Sequence, residues 1–172
     1  SPQGPADAFA IVLAAEPEAV FVAEAEGKLC GYCLAPARVD RLWAAAWRSG
    51  LAWRILGRAL TGRYHLNARA LWRLAINWLL MQRPHRDGAA VIQAHILSLA
   101  VDPAAQGQGL GRRLLRAAME RFAALGVPAV QLEVRPDNVP ARRLYETEGF
   151  VTVGQIRDSQ GPWLVMVKEW PR

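Results

Sequence analysis

The pattern of apolar and polar positions divides the chain into three stretches of different character. In the first, residues 6–15 carry a short helical pattern, and residues 20–26 and 29–35 alternate around Gly27-Lys28, which predicts a β-hairpin. In the last, residues 94–101 form an apolar strand that ends at Asp102-Pro103. Residues 109–125 then place Leu110, Leu114, Ala118, Phe122 and Leu125 on one helical face, with Gly126 and Pro128 stopping the helix. Residues 130–134 predict a strand, after which Asn138 caps a helix with Pro140 in its first turn and Gly149 just past its end. Residues 150–157 and 163–170 predict two closing strands. This order of strands and helices predicts an α/β fold with a mixed central sheet flanked by helices. No internal repeat or low-complexity linker interrupts it.

The middle stretch is different. Residues 42–60 and 66–82 predict two helices, broken by the turn signal Thr61-Gly62. Nine arginines against one acid give residues 40–86 a charge of +8, while twelve cations against fourteen acids leave the remainder at −2. Trp43, Trp47, Trp53, Trp72 and Trp78, five of the seven tryptophans, lie in the same segment. Arg48, Arg54, Arg58, Arg69 and Arg73 interrupt both helices, each costing about 2.5–3.5 kcal/mol at a bilayer centre, so neither is a transmembrane span. A helical hairpin packed on the domain or on a second copy is the first expectation. A lid over a substrate pocket, or a basic surface for anionic lipid or nucleic acid, ranks after it. The apolar residues form no single clean stripe, which favours burial on several sides.

Composition adds boundaries. A chain of 172 residues, 52% apolar and 21% charged, has the means to bury one ordinary core. Residues 1–172 are therefore expected to be one domain, with 41–86 as a helical insert. Two cysteines exclude a disulfide-rich scaffold. Cys30 and Cys33 have redox or metal spacing, but Leu34-Ala35-Pro36 continues a strand instead of opening a helix, so they are expected to pack. His65, His85 and His95 complete no zinc spacing, and no metal is expected. His95, on the strand leading into the turn after residue 101, is expected to be structural first and in reach of a substrate second, and His65 and His85 are expected to lie at the surface. No Arg- or Lys-led apolar segment opens the chain, so a cytoplasmic address is the default expectation.

The chemistry concentrates after residue 98. A strand, a turn with Gly107, Gly109 and Gly111, and a helix start succeed one another, and such a turn presents backbone N–H groups and partial positive charge to a pyrophosphate. Arg112 and Arg113 add charge. A phosphate loop would require Gly-Lys-Ser or Gly-Lys-Thr, which is absent. A dinucleotide fold would put the turn at the first strand of a longer sheet, with an acid about 20 residues on. Glu133 lies near that distance, but the turn comes too late in the chain.

Gln106-x-x-Gly109-x-Gly111 after a strand resembles the acetyl-CoA signature of the Gcn5-related N-acetyltransferases. Leu132-Glu133-Val134-Arg135, Asn138, Ala141, Leu144-Tyr145 and Gly149-Phe150 follow at the spacing of that family's next strand and helix. The resemblance covers about residues 93–157 and looks most like the ribosomal-protein alanine N-acetyltransferase branch. It implies a mostly antiparallel sheet, acetyl-CoA as cosubstrate, no metal, Glu133 as general base and Tyr145 as general acid. The coenzyme contacts it implies are Leu99, Ala100, Val101, Gln106, Gly107, Gln108, Gly109, Leu110, Gly111, Arg112 and Asn138.

The residues themselves leave room for such roles. Gln131, Glu133 and Arg135 face away from Val130, Leu132 and Val134, so Glu133 points off the apolar face. An ordinary strand glutamate is solvated or paired, here with Arg135, and an ordinary helical tyrosine is half-buried packing. Two features depart from the family. A strand and helix normally precede the hairpin, so either the chain is trimmed or the sheet has an altered edge for a partner to cover. The Arg/Trp-rich insert replaces a short connection and leaves the acceptor open between a protein N-terminus and a small amine, with the +8 charge favouring a small or anionic molecule. A homodimer through the insert or a sheet edge is the partner expectation; nucleic acid and membrane are not. The alternative is a module that senses acetyl-CoA while its basic insert holds an anionic partner.

Overall fold

A computed structural model describes residues 9–10, 12–48, 92–158 and 161–170. Helical backbone at 9–10 and 12–15 leads through a 3-10 turn, Pro17–Ala19, into β1 (Val20–Ala25) and β2 (Lys28–Leu34), which pair antiparallel. The turn between them is Glu26-Gly27, one residue earlier than expected. Both have positive φ, 52° and 73°, as a two-residue turn matched to strand twist requires. Helix α1 (Val39–Arg48) begins three residues before the expected start, and the remainder of the two predicted insert helices lies outside the described residues.

The apolar run at 94–101 is two strands. β3 (Ala94–Ile96) pairs parallel with β5 (Ala129–Val134), whereas β4 (Ser98–Val101) pairs antiparallel with β2. Leu97 is the break, its N–H donating to the Leu34 carbonyl at 2.9 Å. β5 pairs antiparallel with β7 (Gly161–Glu169), and β7 with β6 (Val151–Asp158). The described strands thus form the orders β1-β2-β4 and β3-β5-β7-β6, and β3–β5 is the parallel pair among them. The expected mixed, mostly antiparallel sheet is present.

Among the described residues, two helices cover one face. α2 (Leu110–Ala124) buries Leu114, Leu115, Ala118, Met119 and Phe122 against Val130, Leu132, Ala94, Ile96 and Met166. Fully burying a side chain such as Phe122 or Leu115 is worth about 1.5–3 kcal/mol. α3 (Val139–Thr147) adds Tyr145, with Phe150 just beyond its end. The two helices end alike. Val127 N–H returns to the Phe122 carbonyl and Phe150 N–H to the Tyr145 carbonyl, both at 3.0 Å, over Gly126 and Gly149 with φ of 67° and 90°. That is the glycine-dependent closure that satisfies a helix's last carbonyls, and at α3 it stacks Tyr145 edge-on against Phe150 at 5.9 Å.

Gly31 shows why α2 sits where it does. A methyl group there would stand 2.8 Å from the Ala100 carbonyl oxygen and 3.3 Å from Leu114 Cδ1. The missing side chain therefore lets β4 run close to β2 and leaves room for Leu114 of α2 above the pair. Cys30 and Cys33, both in β2, are free thiols: Cys33 is buried, while Cys30 Sγ donates to the Lys28 carbonyl at 3.4 Å. They pack in a strand, as expected. No helix among the described residues is long and apolar enough to cross a membrane.

Candidate active site

The site is built where β4 ends. Asp102 Oδ1 accepts from Ala104 N–H at 2.8 Å and starts the short 3-10 turn Pro103–Ala105. Gln106 then donates from Nε2 to the Val101 carbonyl at 3.1 Å, fastening the turn to its strand. Gly107 and Gly109, with the exposed Gln108 between them, have φ of 78° and 75°, a region that costs a residue with a Cβ roughly 1–2 kcal/mol. Nothing lies within 4 Å of where a Cβ would stand at either glycine, so the turn faces open space. Gly109 is the N-cap of α2, and the Arg113 N–H donates to its carbonyl at 3.1 Å. The N–H groups of Leu110, Gly111 and Arg112 therefore have no acceptor within the helix and are aimed out of its positive end. This arrangement fits a pyrophosphate.

Beside the turn lies a wedge. Asp102 N–H donates to the Cys30 carbonyl at 2.8 Å, so in an antiparallel ladder Ala100 also faces β2, while the Leu99 and Val101 N–H groups face the opposite edge. On that side β5 is paired with β3 only as far as Leu132. Beyond Leu97 β4 and β5 part, and among the described residues no strand pairs with β4 on that side, so its edge can line an extended ligand.

Glu133 and Tyr145 belong to the elements bordering this wedge. Glu133 is half-buried on the face of β5 opposite Val130, Leu132 and Val134. Its Oε1 accepts from Gln131 Nε2 at 2.8 Å. The alternative pairing with Arg135 does not form. Arg135 instead stacks over the Trp163 ring at 4.1 Å, donates to the Pro162 carbonyl at 3.2 Å and lies 3.8 Å from Asp158. Tyr145 is buried, and burial, with a smaller contribution from the nearby Cys33, pushes its phenol up to about 12. A phenol so placed keeps its proton at neutral pH and can give it away. Asn138 caps α3, its Oδ1 accepting from Ala141 N–H at 3.3 Å.

Gln131 and Glu148 were not singled out from the sequence. Strand alternation puts Gln131 on the face of Glu133, so its signal was available. Glu148 gave none. Its nearly buried carboxylate holds Arg112 Nε at 3.2 Å and Arg116 Nε at 3.0 Å, so the Arg112 side chain is tied to the end of α3 while its N–H faces the turn. His95 stands beside Gln131 in the β3–β5 register, with Nδ1 3.4 Å from the Gln93 carbonyl.

Burial also pushes the Cys33 thiol up to about 12. The unfolded chain loses this proton near the ordinary value of 9.0, and the tyrosine proton near 10.0, while the folded chain keeps both. Stability is therefore expected to be intact below pH 9 and to fall between pH 9 and 12, by a few kcal/mol, on the order of one per pKa unit. Urea midpoints of the wild type and Cys33→Ala across pH 8–11 check this. The decline should begin about one pH unit later in the variant, and identical onsets would refute the assignment.

Residues 2–150 match the Acetyltransferase (GNAT) family. A mycothiol acetyltransferase of Brachybacterium faecium is 40% identical over 78 residues, covering 45% of this chain and 23% of that one. An N-alpha-acetyltransferase RimI of Mycobacterium tuberculosis is 54% identical over 60 residues, 35% of this chain and 36% of that one. The matched region thus spans about a quarter to a third of these curated relatives' own length. Among solved structures, the ribosomal-protein-S18-alanine N-acetyltransferase of Escherichia coli superposes with a TM-score of 0.53 at 19% identity, covering 98% of this chain and 89% of that one.

Proposed function

This chain belongs to the GNAT acetyltransferase family, and from that premise we propose that it transfers an acetyl group directly from acetyl-CoA to a primary amine, within a complex holding both. The observation that carries the reading is the turn of Gly107 and Gly109, which presents the free N–H groups of α2 beside the unpaired edge of β4. Leu110, Gly111 and Arg112 bind the pyrophosphate through their N–H groups, and Leu99–Val101 line the extended arm of the coenzyme. Asn138 and Gln106–Gly109 complete the contacts. Acetyl-CoA supplies an activated acyl thioester.

Glu133 takes the proton that the acceptor ammonium must lose before it can attack. The Val101 N–H, on the wedge side of β4, donates to the acyl oxygen as negative charge grows there. The freed amine nitrogen bonds to the acyl carbon, and as the C–S bond breaks Tyr145 gives its proton to the departing sulfur, so the thiol leaves neutral. The second proton that the nitrogen sheds as the amide forms passes to solvent, from which the phenol is reprotonated. Residues 1–172 act as one domain with 41–86 as an insert, and the cytoplasm, where acetyl-CoA is available, is the proposed location.

The acceptor divides into two classes, a small amine such as an amino sugar or a protein N-terminus. The two relatives, named for mycothiol and N-alpha acetylation, represent both classes. Thiol release from acetyl-CoA should be measured against amino sugars, polyamines, aminoacyl compounds and peptides starting with Ala or Ser. Turnover on one class is expected and names the acceptor. Coenzyme binding without turnover on any acceptor would favour a sensing module, and absence of binding would sink the coenzyme assignment.

A further inference from the structure

We propose that Gln131 is a positioning residue for this reaction, its side-chain amide fixing the Glu133 carboxylate in the orientation that receives the acceptor's proton. The inference rests on the reading of Glu133 as general base. A glutamate projecting from a strand has three rotatable bonds, so a base without a partner spends much of its time aimed elsewhere. The neighbourhood of Glu133 restricts this. Gln131 lies two residues back on the same face of β5, and its Nε2 donates to Oε1 at 2.8 Å. With Oε1 engaged in that bond, Oε2 is the oxygen assigned to receive the proton.

Gln131 is itself held in place. Across the β5–β7 ladder its partner is Val167 and that of Glu133 is Val165, both buried, so branched side chains wall the pair on that side. On the other side, His95 of β3 is the neighbour of Gln131 in register, with its ring held near the Gln93 carbonyl. His95, Gln131 and Glu133 thus form a polar cluster on two adjacent strands, on the face opposite α2 and α3. An amide suits the middle of this cluster because it donates to a carboxylate without carrying charge of its own.

Steady-state kinetics on the best acceptor from the panel tests the assignment, using Gln131→Met, Glu133→Gln and the double variant. Glu133→Gln is expected to lower kcat about 100-fold or more, the ordinary share of a general base. Gln131→Met, close in shape but unable to donate, is expected to lower kcat about tenfold, with KM for acetyl-CoA within about twofold of wild type. The double variant should be no slower than Glu133→Gln alone, because the amide has no task once the base is gone. A merely structural role would lower kcat by the same factor in both backgrounds. Gln131→Asn, which keeps the amide but withdraws it by one methylene, is expected to show the same loss and carries the test if Gln131→Met does not fold.

Full kcat in Glu133→Gln would take down the base reading itself, whatever Gln131 does. A loss in Glu133→Gln with full kcat in the folded Gln131 variants, or additive losses, would leave the base in place and overturn the positioning role.

Discussion

Tyr145→Phe is expected to lower kcat by about 100-fold or more while acetyl-CoA binding stays within about twofold of wild type. Proton transfer by a placed side chain commonly supplies 10²–10⁴ in rate, and the substitution removes only the transferable proton. The ring itself remains. Its burial, its edge-on contact with Phe150 and the closure from Phe150 N–H to the residue-145 carbonyl all survive, so the variant should fold with little change in stability. The phenol stands at about 12 in the folded chain, so it does not ionise in the neutral range and sets no alkaline limb there. Thiol release and titration calorimetry, run together on both proteins, give the comparison. A variant with wild-type kcat would remove Tyr145 from the chemistry and assign it to the core.

The second large effect separates two glycines of the same turn. Gly109→Ala forces a side chain into φ 75° at the N-cap of α2, at a cost of about 1–2 kcal/mol. Relief of that strain swings the N–H groups of the first turn away from the ligand. Acetyl-CoA affinity is expected to fall tenfold or more. Gly111 lacks that constraint: its backbone is helical, and a Cβ would meet Leu144 Cδ2 at 3.6 Å and Val101 Cγ2 at 3.7 Å, ordinary contact distances. Gly111→Ala should fold at least as stably as wild type, gaining up to about 1 kcal/mol from helix propensity. Any affinity it loses then reports how closely the ligand approaches the helix. Urea midpoints and calorimetric affinities of both variants decide the matter, and equal stabilities would refute the strain argument.

Local signals made the last third of the chain readable. The apolar face of α2, the Asn138 cap and the glycine after each helix all act within one or two turns, and the helices end where those residues place them. The hairpin turn slipped by one residue because Lys28 looks as much like a turn residue as Glu26 until the backbone twist is known. The break at Leu97 was hidden for another reason. An apolar run reads the same whether it serves one sheet or is shared between two, and the choice depends on β2 and β5, which are distant in sequence. The residues of the turn and the wedge were legible as a family pattern, whereas their electrostatic partners were not. Glu133 bonds to Gln131, while the Arg135 guanidinium lies over Trp163, donates to the Pro162 carbonyl and stands 3.8 Å from Asp158, partners distant in sequence.

Glu148 ties the layers of the molecule together. Its carboxylate grips Arg112 and Arg116 on α2, and its carbonyl accepts from Lys168 Nζ of β7 at 2.7 Å. Tyr145 lies one turn upstream on the same helix, while β7 is the immediate neighbour of the strand carrying Glu133. The helix bearing Tyr145, the first turns of α2 beyond Gly109 and the sheet bearing Glu133 thereby meet at a single residue. If Tyr145 and the turn act as proposed, their alignment is kept by one residue that need touch neither reactant.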